Sequence, residues 1–211
     1  HFRTAASFVK VRCAIPSREL LTAADIVAVN QNGGLFVVGS YVPKTTAQVE
    51  ALIQSNNIAS LEIMVERLMD PAEQTVEIRR TCREMNRWIG SGKDVLIYTS
   101  RRLVTGKDAA GSLDIGKQIS NSLIAIVKGL QHQPRYLVAK GGITSSDVAT
   151  QGLGVKRAMI MGQILPGVPV WELGEEARYP GMAYIVFPGN VGGRDALAEI
   201  CDRLKPKEAP Q

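Results

Sequence analysis

Two adjacent glycines followed by hydroxyl side chains, Gly141-Gly142-Ile143-Thr144-Ser145-Ser146, stand directly behind the apolar run Tyr136-Leu137-Val138-Ala139 and Lys140. Glycine lets backbone N–H groups approach a phosphate closely. Thr144, Ser145 and Ser146 offer hydroxyls for phosphate oxygens or a magnesium-bound water, and Lys140 can neutralise charge. The same residues also suit a plain strand-to-helix turn with Ser145 as its N-cap. Pro188-Gly189-Asn190-Val191-Gly192-Gly193 repeats the pattern between another apolar run and a helical one. A third stretch, Val38-Gly39-Ser40-Tyr41-Val42-Pro43-Lys44-Thr45, approaches a Walker A loop but fails it. Pro43 occupies the place of the glycine before the lysine, and Val38 that of the first glycine. Gly152-Leu153-Gly154-Val155-Lys156-Arg157 fails the dinucleotide fingerprint in the same way, with Arg157 where the third glycine belongs. In open α/β sheets such loops gather beyond the carboxyl ends of strands, where helix N-termini favour anions. These residues point to a phosphate-bearing small molecule, and ATP is the expected ligand.

Other chemistries have little to stand on. The two histidines are His1 and His132, the latter read as a loop residue, so Ser-His-Asp, Cys-His and two-histidine metal chemistry lack their parts. Cys13, Cys82 and Cys201 are odd in number and scattered, which argues against a disulfide framework and a CxxC metal site. No metal-ligating residues are assigned. A net charge of +5 invites a nucleic-acid reading. However, Arg79, Arg80, Arg83 and Arg87 alternate with Glu73, Glu77 and Glu84 at helical spacing, as on a solvated face. Aromatics, at 5%, are not interleaved with the basic residues. No apolar run reaches the roughly 20 residues of a membrane span. No signal peptide is visible, and a soluble, cytoplasmic protein is expected.

Elements that would position these loops follow from periodicity. Leu35–Val38, 60–65, Val95–Tyr98, Tyr136–Ala139, Ala158–Met161, Val168–Leu173 and Tyr184–Phe187 read as strands. A helix is expected behind a capping box at Thr45 and Gln48, with Val49, Leu52 and Ile53 as its apolar stripe. Asp70-Pro71-Ala72-Glu73 opens a second helix: Asp70 caps, Glu73 closes the box, and Ile78, Cys82, Met85 and Ile89 share a face. Ile115, Ile119, Leu123, Ile126 and Leu130 mark a third, a short one runs to Gly152, and 195–204 forms the last. The alternation implies an α/β layered sandwich around a mixed, largely parallel sheet with helices on both faces.

With the three loops placed, the chain resembles the four-carbon acid sugar kinase family, specifically its C-terminal nucleotide-binding domain. Gly39, Ser40, Pro43, Thr45 and Gln48 match the family's Gly-Ser-x-x-Pro-x-Thr-x-x-Gln pattern. Gly141-Gly142-Ile143-Thr144-Ser145, with Val148 and Thr150-Gln151, is similar to its Gly-Gly-acidic-Thr-Ser signature, and Gly189-Asn190-Val191-Gly192 to its Gly-Asn-x-Gly. Phe2-Arg3-Thr4-Ala5-Ala6-Ser7-Phe8-Val9 resembles the segment closing the family's N-terminal, substrate-binding domain. The resemblance implies ATP- and Mg²⁺-dependent phosphorylation of a terminal hydroxyl on erythronate, threonate or a 3-oxo-tetronate. Ser40, Gly141, Gly142, Ile143, Thr144, Ser145, Gly189 and Asn190 would contact ATP. The catalytic base and the sugar site would lie in an N-terminal half. Residues 1–30 are then its tail plus a linker, 31–205 the nucleotide-binding domain and 206–211 a disordered end. Ile143 departs from the acidic residue of the family pattern, and Val42 from a small polar one. Lys140-Gly141-Gly142-Ile143-Thr144-Ser145-Ser146-Asp147 also resembles the wording of members fused to aldolase or dehydrogenase domains, and such a fusion of the parent chain, like homo-oligomerisation, is left open. The competing expectation is a non-catalytic nucleotide-binding or oligomerisation module.

Overall fold

An apolar tetrapeptide whose every side chain is buried needs cover on both faces, and Leu35–Val38 (β1) has it. The computed structural model describes residues 6–26, 30–40, 42–55, 58–100 and 109–205; residues 2–5, Tyr41 and the expected tail 206–211 lie outside these. The other strands are Ala59–Ile63 (β2), Val95–Thr99 (β3), Tyr136–Lys140 (β4), Ala158–Leu165 (β5), Val168–Leu173 (β6) and Ala183–Phe187 (β7). The α-helices are Ala6–Arg12 (α1), Pro43–Ser55 (α2), Val65–Met69 (α3), Pro71–Gly90 (α4), Ala109–Lys128 (α5), Gly142–Asp147 (α6) and Ala196–Arg203 (α7). A π-helical turn, Val148–Gly152, continues α6.

The strands form one seven-stranded sheet in the order β2-β3-β1-β4-β7-β6-β5. β2, β3, β1, β4 and β7 are parallel, whereas β6 and β5 join antiparallel. The expected mixed, largely parallel sheet is therefore the observed one. Alternation along β1 divides the core. Leu35 and Val37 pack with Leu68 of α3, Met85 and Ile89 of α4 and Leu123 of α5. Phe36 and Val38 pack with Val49 and Leu52 of α2 and with Leu197 and Ile200 of α7. α2, which follows β1, lies on this second face, whereas Val148 and Ala149, in the turn that continues α6 after β4, pack on the first, so the sheet opens a crevice between the ends of those strands.

Several local expectations need correction. α2 begins at Pro43, so Thr45 and Gln48 sit inside the helix, fully buried, instead of forming a capping box. Ile53 is exposed, off the apolar stripe. The strand expected over 60–65 ends at Ile63, because Val65 and Leu68, one turn apart, turn inward as the short helix α3. Asp70 does cap α4, its Oδ1 accepting from the Ala72 N–H at 2.9 Å. Glu73 lies 3.4 Å from Arg67 instead of closing a box. Glu77 is no member of a solvated face: its fully buried carboxylate accepts from Arg80 at 2.7 Å and from the Met64 N–H at 3.0 Å. Burial pushes that carboxyl up, and these hydrogen bonds outweigh it, holding it below the ordinary range.

Residues 30–34 are packed against the body of the fold. Asn30 and Asn32 donate to the Gln133 carbonyl at 3.0 and 2.8 Å, and the Gly34 N–H donates to Asp94 Oδ1 at 2.6 Å. A methyl group on Gly34 would lie 2.2 Å from the ring of Tyr136, itself buried and donating to Asp94 Oδ2 at 2.8 Å. Gly34→Ala is expected to lower unfolding free energy by about 1–3 kcal/mol through overpacking. Urea denaturation measures it, and an unchanged midpoint would show that the ring gives way freely. Among the described residues no helix is long and apolar enough to cross a membrane.

Candidate functional site

Register brings the three glycine loops together. Val38 of β1 pairs with Lys140 of β4, and Lys140 with Phe187 of β7, so three adjacent parallel strands end on one row. The loops leaving that row, with one face of α5, enclose a cleft of about 620 Å³. Of the residues singled out from the sequence, Ser40, Gly141, Gly142, Ile143, Thr144, Gly189 and Asn190 line it. Ser145 does not. Its buried hydroxyl donates to the Ala139 carbonyl at 2.6 Å, and its own carbonyl accepts from the Tyr184 hydroxyl at 2.7 Å, so it pins the turn from below. Nor is Ser145 the N-cap: that position is Gly141, whose φ of +108° disfavours other residues.

Close packing shows which glycines the fold itself requires. At Gly39 a methyl group would come within 2.8 Å of both Leu123 and the Thr144 hydroxyl, so glycine lets the first loop meet α6. At Gly142 and Gly189 it would meet nothing within 4 Å, and neither residue has a positive φ. The folded chain has no internal need for glycine at these two places. Both line the cleft, where a bare backbone admits the close approach of a ligand.

Sequence reasoning missed the floor and one wall. α5 contributes Gly116, Ile119, Ser120 and Leu123, and the first loop adds Val42 and Lys44. Ile119 and Leu123 were legible only as a core stripe. Gly116, a glycine inside a helical pattern with open space around it, was the available signal. Val42 and Ile143, both exposed, give the mouth an apolar side, while Lys44 Nζ donates to the Asn190 carbonyl at 2.8 Å.

Residues 35–197 match the family model described as "Nucleotide-binding C-terminal domain". The chain belongs to that family. It is the kind of domain that the three loops resemble, a C-terminal nucleotide-binding domain. No curated protein is similar enough to be matched. Among solved structures, a protein of a domain family of unknown function (DUF1537) from Bordetella bronchiseptica, with bound citrate and as a domain-swapped dimer, has a TM-score of 0.64 at 19% identity, covering 82% of this chain and 41% of its own. A Haemophilus influenzae protein of the same family gives 0.61 at 23%, covering 82% and 40%. One from Salmonella typhimurium, described provisionally as a tRNA synthase, gives 0.62 at 18%, covering 84% and 42%. At these identities the likeness is one of fold. The chain spans about two fifths of the length of these proteins.

In this nucleotide-binding domain the one fully buried lysine among the described residues lies under the cleft. Lys140 Nζ donates to the carbonyls of Pro188 at 2.8 Å and Gly189 at 3.0 Å and sits 4.1 Å from the centre of the Phe187 ring. Burial first, and the charge of Lys44 second, bring its pKa from 10.5 down to about 8. A phosphate above it favours the ammonium form. Affinity for a phosphate-bearing ligand is therefore expected to fall several-fold as pH rises from 7 through 9.5, with proton uptake on binding near pH 8. Calorimetry in buffers of different ionisation enthalpy measures that uptake. A flat profile would show that Lys140 does not sense the ligand.

Proposed function

We propose that the chain is the ATP-binding part of a kinase that phosphorylates a terminal hydroxyl of a four-carbon sugar acid, of the erythronate, threonate or 3-oxo-tetronate type, with Mg²⁺. The observation that carries this reading is the pair Gly142 and Gly189, side-chain-free without any packing or backbone reason and facing one cleft. The donor set fits a polyphosphate. N–H groups at the first turn of α6 have no partner inside the helix, the Thr144 and Ser40 hydroxyls stand beside them, and Lys44 and Lys140 supply positive charge. Val42, Ile119, Leu123 and Ile143 offer apolar surface against which a purine can be desolvated. ATP supplies the phosphoryl group, and the chain's own residues bind and orient it and exclude water around it. Ile143 removes the carboxylate of the family pattern, so Mg²⁺ would be held through phosphate oxygens with hydroxyls such as Thr144 nearby, not by an acidic side chain at that position.

Micromolar to millimolar binding of adenine nucleotides with Mg²⁺ is the expected outcome of titration calorimetry. No heat, together with no thermal shift at millimolar ATP, would overturn the reading.

A further inference from the structure

Five of the six carbonyl oxygens from Pro188 to Gly193 are held by side-chain donors. Lys140 takes those of Pro188 and Gly189, Lys44 that of Asn190, and Gln48 those of Val191 at 3.1 Å and Gly193 at 2.8 Å. Lys140 and Gln48 are fully buried; Lys44 is exposed. Gln48 reaches these carbonyls with its amide nitrogen, which leaves Oε1 buried and without a partner among the described residues. A buried, unsatisfied acceptor is unfavourable, so holding the loop outweighs satisfying the glutamine.

The peptide plane turns this clamp into a recognition surface. In a trans peptide the N–H of each residue points opposite to the carbonyl before it, and no peptide among the described residues is cis. With the Pro188 and Gly189 carbonyls drawn down onto Lys140, the N–H groups of Gly189 and Asn190 point away from it. Both residues line the cleft, and neither N–H has an acceptor among the described residues. Successive free N–H groups of this kind form an anion seat.

We propose that Lys140 and Gln48 are positioning residues: they hold the Pro188–Gly193 loop with its carbonyls inward, so that the Gly189 and Asn190 N–H groups seat the polyphosphate of the nucleotide. This rests on the nucleotide reading above, but its test does not depend on a nucleoside. Tripolyphosphate added to the isotope-labelled chain shifts the Gly189 and Asn190 amide resonances. Gln48→Met, close in shape and free of the unsatisfied oxygen, keeps the melting temperature. It weakens tripolyphosphate and ATP at least tenfold and leaves adenosine binding within twofold. A merely structural glutamine would move all three ligands together.

Unshifted Gly189 and Asn190 amides in the wild-type chain, or tripolyphosphate affinity unchanged in Gln48→Met, would overturn the proposal. The wild-type shifts decide the matter even where a variant fails to fold. Tripolyphosphate seated at those amides and not displaced by ATP with Mg²⁺ would leave the clamp standing and overturn the nucleotide reading. ATP binding without movement of either amide would do the reverse.

Discussion

Gly142→Asp is expected to melt as the parent chain does and to lose almost all affinity for ATP with Mg²⁺. The position tolerates a side chain: its φ is not positive, and a methyl group there would meet nothing within 4 Å. It is also the first residue of α6, where an acidic side chain is favourable for the helix. The added carboxylate would nonetheless stand where a phosphate is expected. At a separation of about 4 Å near a protein surface, two like charges cost about 4 kcal/mol, or roughly a thousandfold in Kd. Gly189→Asp has the same open surroundings and the same expected result. Calorimetry with thermal melts separates the cases. An unfolded variant would mean that the turn is needed for the fold itself, and normal binding by both variants would place the site elsewhere.

The second large effect concerns turnover. Residues 1–211 on their own are expected to release no ADP in response to erythronate, threonate or their oxo forms, and to become active when joined to a sugar-acid-binding half. Among the described residues the cleft is lined by glycines, hydroxyls, apolar side chains, Asn190 and Lys44, with no carboxylate or histidine suited to receive the proton of an attacking hydroxyl. Holding both reactants in line contributes roughly 7–11 kcal/mol to such a transfer, and a chain holding one of them forgoes most of it. A coupled ADP assay, with and without the other half, checks this. Sugar-acid-dependent turnover by the chain alone would show that the whole active site lies within it. Nucleotide binding that never leads to transfer, even with the other half present, would favour a non-catalytic module.

Much of this architecture was legible because its signals are local. β1, β3 and β4 are largely apolar runs of the kind a doubly covered sheet demands, and glycines mark where β1 and β4 hand over to their loops. The convergence of three such loops could be anticipated from the general rule for parallel sheets, although the register that accomplishes it could not. What escaped was set by tertiary contact. Glu77 reads as one charge in an alternating series, and only the approach of the Met64 N–H and Arg80 makes it a buried acceptor. Gln48 looks like half of a capping box, whereas its partners lie in a loop far along the chain. Ser145 has the composition of a ligand hydroxyl, yet the depth of the turn directs it to Ala139. Ile119 and Leu123 carry one pattern that serves both core and cleft.

The common row of Val38, Lys140 and Phe187 has a consequence for when the site comes into being. These residues are distant in sequence and become neighbours only once β1, β4 and β7 have paired. Closing such long loops is paid in chain entropy before any contact repays it. The cleft is therefore a late product of folding, and no short peptide carrying Gly141–Ser145 or Gly189–Gly192 can reproduce it. A ligand that bridges the three loops grips segments that only the complete central sheet holds together. It should slow unfolding of the whole domain and protect amides in the buried strands as much as those at the rim, so that occupancy of the cleft is read as global kinetic stability.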